Sequence, residues 1–167
     1  MKNILNYNPD TGVFVWIKPP NKRIKVGSVA GCLVKTTGYW QIGIGKTRYL
    51  AHRLAWYFTY GYFPEENIDH INRDKLDNRI INLRICTVSQ NACNAPKHKD
   101  NRTGYKGVDF DKRRNKFRAR IRVDNKQTHI GYFDTVEEAA RAYDEVVISY
   151  HGEFANGNHI KGSKICP

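Results

Sequence analysis

Residues 67–91 read NIDHINRDKLDNRIINLRICTVSQN, and the fold of the first half of the chain turns on this stretch. Asn67 to His70 has the length of a short strand that ends on an acid and a histidine. Asn72-Arg73-Asp74-Lys75-Leu76-Asp77-Asn78 is loop-like, rich in side chains that bond their own backbone. Ile80-Ile81-Asn82-Leu83-Arg84 supplies a return strand. Thr87 then opens a helix, with Gln90 three residues on to complete a capping box. Asn91 falls in the second turn, aimed back at the hairpin.

The residue types in this stretch point to a chemistry. Hydrolysis of a phosphodiester needs a base to activate water, a cation to neutralise charge on the phosphate, and a fixed geometry. Asp69 offers a hard oxygen to Mg2+, and His70 offers a nitrogen that titrates near neutrality. Neighbours on a strand point to opposite faces. Both therefore serve one site only if the backbone turns there or a second element wraps around it. An Asp-His pair alone is a common dipeptide, and Asn82 and Asn91 alone are turn or cap residues. The weight lies in the conjunction.

Working outward, residues 8–50 read as β-rich. Asn8-Pro9-Asp10-Thr11-Gly12 is turn chemistry ahead of the run Val13-Phe14-Val15-Trp16. Residues 38–44 and Tyr49-Leu50 look like paired strands around Gly45-Lys46. Residues 52–58 are apolar at helical spacing, with Gly61 and Pro64 as stop signals. Pro96 to Thr103 is polar without apolar periodicity and reads as a linker.

A second unit starts at Gly104. Strand signals recur at residues 107–110, 116–123 and 128–133, with Asp124-Asn125-Lys126-Gln127 as a hairpin turn. Thr135 and Glu138 form another capping box. Val136, Ala139, Ala140, Tyr143, Val147 and Tyr150 then make one apolar helix face, stopped at Gly152. The stretch from Lys116 to Val123 alternates strictly: Phe117, Ala119, Ile121 and Val123 on one side, Lys116, Arg118, Arg120 and Arg122 on the other. Successive cations on one face stand about 6.6 Å apart, comparable to successive phosphates along DNA. With Arg113 and Arg114 just before them, these four are the candidate DNA-binding residues. The fold class expected is α+β: a β-rich region with a hairpin-helix motif, then a small three-stranded antiparallel sheet on one helix.

Charge supports a polyanionic partner. The chain of 167 residues carries 28 Lys and Arg against 16 Asp and Glu, a net of +12. Residues 1–96 hold 13 basic and 6 acidic residues (+7), and residues 97–167 hold 15 and 10 (+5), so both halves are basic and suited to touch the partner. No long apolar run or basic amphipathic helix invites a membrane. The start of the chain lacks the apolar stretch of a secretory signal, and no pair of its four cysteines has C-x-x-C spacing. The expectation is an intracellular protein, not secreted, with reduced thiols. Cys86 and Cys93 are expected to be ordinary buried residues.

The order Asp69-His70, then Asn82, then Asn91 resembles the HNH endonucleases, most closely the free-standing homing type found in phages. His52-Arg53-Leu54-Ala55-Trp56, Ile68-Asp69-His70-Ile71-Asn72, Asp77-Asn78-Arg79-Ile80 and Asn82-Leu83-Arg84 carry the likeness. It covers most of residues 5–95. The resemblance implies a ββα-metal hairpin with one divalent cation per site. His70 would be the general base, Asp69 and Asn91 the metal ligands, and Asn82 the brace of the hairpin that helps to orient His70. Asn91 stands where many relatives have a third histidine, which makes the donor set oxygen-rich and favours Mg2+ or Mn2+ over zinc. Arg53, Arg79 and Arg84 are as suited to a solvated surface as to phosphate.

Residues 104–158 resemble the AP2 (ethylene-response-factor-like) DNA-binding domain. The residues that carry this are Tyr105-Lys106-Gly107-Val108, Lys116 to Arg122, Gly131-Tyr132-Phe133-Asp134-Thr135 and Glu137 to Asp144. The likeness implies a sheet that enters the major groove. Asp109, Phe110 and Asp111 stand where plant members are rich in Arg, and His129 where they carry Trp, so the plant target is not carried over. A sheet without exposed stacking aromatics is a poor RNA platform, which leaves double-stranded DNA as the partner.

The reading is a site-specific DNA endonuclease: residues 1–95 the nuclease domain, 96–103 a linker, 104–158 the AP2-like domain, 159–167 a tail. It acts as a monomer or transient dimer, with no membrane and no small-molecule cofactor, in the cytoplasm of a bacterial host if phage-encoded. A non-cutting DNA-binding regulator on a degenerate nuclease fold is the alternative, and a restriction-type nuclease is a third reading.

Overall fold

Asn8 turns the chain with its own side chain: Oδ1 accepts from the backbone N of Asp10 at 2.9 Å and of Thr11 at 3.2 Å. That turn joins β1 (Leu5–Asn8) to β2 (Val13–Trp16), antiparallel with Leu5 opposite Trp16 and Tyr7 opposite Phe14. The structure is a computed structural model describing residues 1–97, 100–123 and 126–158. It divides into two compact units, Met1–Cys86 and Thr87–Pro167. The class is α+β, as the sequence pattern requires.

In the first unit, β3 (Cys32–Val34), β4 (Tyr39–Ile44) and β5 (Thr47–Leu50) form an antiparallel sheet in that order, with Gly45-Lys46 turning β4 into β5. The helix α1 (Ala51–Tyr60) follows at once and ends on Gly61 in the left-handed conformation. Its buried residues are Ala51, His52, Leu54, Ala55 and Trp56, and the apolar four pack into a core with Leu5, Phe14, Trp16, Ile42, Ile68 and Leu83. Beyond it, β6 (Asn67–His70) pairs antiparallel with β7 (Leu83–Cys86). The expected return strand from Ile80 begins later: Ile80–Asn82 is a 3-10 turn, tightened by Asn82 N donating to Arg79 O at 2.9 Å. The strands β1 and β3 had no separate sequence signal.

The β1–β2 hairpin braces the loop between β6 and β7. Tyr7 Oη donates to Asn78 O at 2.8 Å, and Ile80 N donates to Pro9 O at 3.3 Å. Gly12 (φ +71°) lies against this loop; a Cβ there would sit 2.5 Å from Arg79 N.

The second unit opens on α2 (Val88–Asn94), with the Thr87–Gln90 capping box in place. Strands β8 (Val108–Asp111), β9 (Lys116–Val123) and β10 (Lys126–Phe133) form an antiparallel sheet with β9 in the middle. The register of β10 shifts between His129 and Gly131. Of the expected turn before β10, Asp124 and Asn125 lie outside the described residues, as does the tail from residue 159. The helix α3 (Val136–His151) starts on the Thr135–Glu138 capping box and stops at Gly152. Ala139, Ala140, Tyr143 and Val147 pack on Val108, Ala119 and Ile121, with Cys93 of α2 in the same core. Tyr150, counted in that face from its spacing, is instead 59% exposed.

Within this unit α2 is held at its C-terminal end. Lys106 Nζ donates to Cys93 O and, at 2.7 Å, to Ala95 O, a cation placed where the helix dipole favours one. Buried Asn156 donates from Nδ2 to Asn94 O at 3.0 Å. Asp144, buried in α3, fixes the segment that brings Asn156 there, its Oδ1 accepting from Asn158 N at 2.6 Å.

Gly12→Ala is expected to cost about 2–3 kcal/mol, from a left-handed φ and a backbone clash together. All three tryptophans, Trp16, Trp40 and Trp56, lie in the first unit, so urea unfolding followed by tryptophan fluorescence reads that unit. An unchanged midpoint would remove the brace from the account.

Candidate active site and DNA interface

Asp69 and His70 close β6 and meet different partners. Asp69 sits directly across from Arg84 of β7. Its Oδ2 accepts from Arg84 Nε at 3.1 Å and Nη2 at 3.0 Å, with both side chains largely out of solvent. Buried carboxylates need such a partner.

His70 packs against a second buried imidazole. The ring of His52, from the first turn of α1, stands edge-on at 5.0 Å between centroids, and Tyr39 of β4 lies at 6.1 Å. His70 Nε2 lies 3.4 Å from Asn78 Oδ1. Asn78 Nδ2 donates to Leu76 O at 3.0 Å, so its oxygen is the atom turned to the histidine. Nε2 is thereby placed to donate, and in that tautomer Nδ1 is the nitrogen that accepts a proton. Burial holds His70 below its ordinary pKa; the bond to Asn78 and the carboxylates of Asp69, Asp74 and Asp77 oppose it.

Asn82 works on the loop. Its Oδ1 accepts from Asn72 N at 3.0 Å, and its Nδ2 donates to Asn72 Oδ1 at 3.0 Å and Asp77 O at 2.8 Å. Its carbonyl accepts from Ile71 N at 2.9 Å. One buried amide thus closes both ends of residues 71–82. Asp77 is in turn paired with Arg79 at 2.6 Å, and that pairing holds its carboxyl down at about 2. Arg53 bonds the carbonyls of Pro64 and Glu66. The three arginines with no assigned role thus hold a loop, a turn and the Asp69 carboxylate.

Asn91 is an exposed residue of α2 whose backbone N donates to Thr87 O at 3.0 Å. It belongs to the second unit, and Asp69 to the first. Among the described residues, no three His, Cys, Asp or Glu side chains gather as a metal centre. A carboxylate and an amide suit an ion that keeps several waters, as Mg2+ does, so the donors fit the expected ion in kind.

His52 is a residue of this site that the spacing did not disclose. It lies on the core face of α1, 94% buried by its 6% exposure, and its Nδ1 has no partner. Burial first, then His70 and Arg53, push its pKa down to about 3.

In the second unit the outer face of the sheet is less free than a row of cations. Arg118 donates to Asp109 of β8 through Nε at 3.1 Å and Nη2 at 2.6 Å, and Arg120 Nη2 reaches Asp109 Oδ2 at 3.0 Å. Lys116 pairs with Asp134 at 2.5 Å. Arg122 is exposed. Arg113 and Arg114 sit in the β8–β9 turn, their backbone N atoms bonded to Asp111 Oδ1. Arg114 lies over the ring of Tyr132 at 4.7 Å. That corrects the expectation of a face without aromatics: Tyr132, opposite Arg118 in register, is 36% exposed.

The HNH endonuclease family matches residues 49–93, which include Asp69, His70, Asn82 and Asn91, and the AP2 domain family matches residues 103–153. The chain belongs to the HNH endonuclease family and carries a fused AP2 domain. This HNH–AP2 chain is 30% identical over 105 residues to Protein 3.8 of Escherichia phage T7, covering 62% of this chain and 86% of that one. It is 35% identical over 94 residues to the uncharacterized HNH endonuclease L560 of Acanthamoeba polyphaga mimivirus, covering 56% of this chain and 47% of the relative. Its AP2 part is 38% identical over 58 residues to the AP2-like ethylene-responsive transcription factor TOE2 of Arabidopsis thaliana, covering 35% of this chain and 12% of that protein. No solved structure matches the chain. Among the described residues, no helix is long and apolar enough to cross a membrane.

His52 sets a pH dependence. Between its ordinary pKa of 6.5 and its folded value of about 3, the unfolded chain binds a proton that the folded chain refuses. Its contribution to stability is complete above pH 6.5 and falls with pH below it, by about 1.4 kcal/mol per pH unit for one proton. Stability measured by urea unfolding from pH 7 to 4 should fall less steeply in His52→Phe, by about one proton. Equal slopes would show that His52 is not buried in its neutral form.

Proposed function

We propose that the chain is a site-specific, metal-dependent endonuclease that hydrolyses phosphodiester bonds in double-stranded DNA. The observation that carries this is the buried imidazole of His70, packed against His52 and oriented by Asn78, at the end of a hairpin whose loop Asn82 closes. His70 Nδ1 takes the proton of the attacking water. Asn82 serves as a positioning residue that holds the loop, and through it Asn78, in place. Asp69 and Asn91 would hold one Mg2+ or Mn2+ ion, which supplies charge neutralisation at the scissile phosphate. By family likeness the ends left are a 5′-phosphate and a 3′-hydroxyl.

The AP2 sheet binds the duplex through Arg118, Arg120 and Arg122, with Lys116, Arg113 and Arg114 at its edge. The functional parts are residues 1–95 for cutting, 96–103 as linker and 104–158 for holding. The role proposed is homing-type, with the protein acting in a bacterial cytoplasm as a monomer or transient dimer; similarity to a phage protein supports a phage source.

His70→Ala should lower cleavage of target DNA in Mg2+ by about 100-fold or more, the usual worth of a general base, with duplex binding retained. Changing Arg118, Arg120 and Arg122 together to Ala should instead weaken duplex binding by about tenfold or more while the first unit stays folded. Cleavage that survives His70→Ala overturns the catalytic assignment. Binding without cutting in any divalent metal identifies a DNA-binding regulator.

A further inference from the structure

Asp109 sits on the edge strand β8 of the sheet whose outer face is assigned to DNA, where a carboxylate repels phosphate. Its position is fixed by register: it lies directly opposite Arg118 on β9. It takes the side edge of the Arg118 guanidinium through two bonds and one edge of Arg120 through a third. Arg120 is held from its other side by Gln127, whose Oε1 accepts from Nη1 at 3.2 Å. The Arg118, Arg120 and Asp109 side chains are 28%, 32% and 37% exposed, so the cluster is open to a ligand from the outer face.

Two arginines and one aspartate leave one net positive charge where three residues could have given more. A surface built to hold phosphate gains from every added charge and tolerates loose geometry. A surface built to read bases gains from fixed guanidinium planes, because bidentate bonds to guanine O6 and N7 need two parallel donors in one plane. Each guanidinium has five N–H donors, so after the bonds to Asp109 and Gln127 both arginines keep donors for a base edge. The carboxylate can also accept from the N4 amino group of cytosine.

We propose that Asp109 is a specificity-determining residue: it holds Arg118 and Arg120 as readers of guanine in the major groove and withholds them from phosphate. This rests on the reading of the sheet as the DNA-binding face. Exposed ion pairs often do no more than join neighbouring strands, and the experiment separates that role from this one.

The full chain is used to select duplexes from a randomised library, and the enriched duplex and a scrambled one are titrated across a salt series. The wild type should enrich a G·C-containing site. Asp109→Asn should bind the scrambled duplex more tightly, with a log affinity against log salt slope steeper by about one. It should also lose about tenfold or more of its preference for the enriched duplex. Asp109→Glu keeps the charge but not the reach, so its salt slope should match the wild type while preference still falls. Circular dichroism melts confirm that each variant is folded.

Wild-type preference and slope in folded Asp109→Asn overturn the proposal and leave a strand-joining ion pair. If Arg118→Ala with Arg120→Ala binds both duplexes as the wild type does, the sheet is not the interface and the underlying reading falls as well.

Discussion

Two neighbouring residues at the end of a strand cannot look the same way, and β6 ends on two such polar residues, Asp69 and His70. Register gives Asp69 the guanidinium of Arg84 across the hairpin, and alternation hands His70 to α1 and Tyr39. Each is then fixed by its own surroundings. A carboxylate that is 6% exposed would be costly without Arg84, and a histidine that is 5% exposed stays neutral because charging it would be costly. The loop inherits the same demand. Its polar residues satisfy one another through Asn82 and Asn72, which lets a stretch with little apolar content hold one shape.

The second unit manages charge in the opposite way. There Arg122 is exposed and Lys116, Arg118 and Arg120 are half-buried, and order comes from partners within the same face. Asp109 joins β8 to β9 and Lys116 reaches Asp134, so the charged side chains form a lattice above an apolar floor of Ala119 and Ile121. Solvent screens each pair, but a shared carboxylate limits where two long side chains can go.

Local signals were legible and distant ones were not. Both capping boxes, the stop at Gly61, the β4–β5 turn and the alternation of β9 follow from residues within a few positions of each other. The 3-10 turn at Ile80–Asn82 was hidden because its apolar residues fit a strand equally well. Asp109 was visible as a departure from plant AP2 domains, but its partners lie nine and eleven residues away and depend on register. His52 lies eighteen residues before His70 on an ordinary apolar helix face, and nothing in its spacing separates it from a core residue. Arg84 had the same ambiguity, resolved only by its position opposite Asp69.

The grip of Lys106 and Asn156 on the end of α2 bears on how such a chain can be assembled by gene fusion. The family match for the nuclease runs to residue 93, yet the groups that finish its last helix are encoded within and just past the AP2 domain. A crossover between the two matched regions would exchange the AP2 domain and take those groups with it, leaving the helix end with bare carbonyls. The two matched regions are interdependent at the level of the backbone. Inheritance of the nuclease therefore constrains which AP2 sequences can follow it, through a lysine and an asparagine that need never touch DNA.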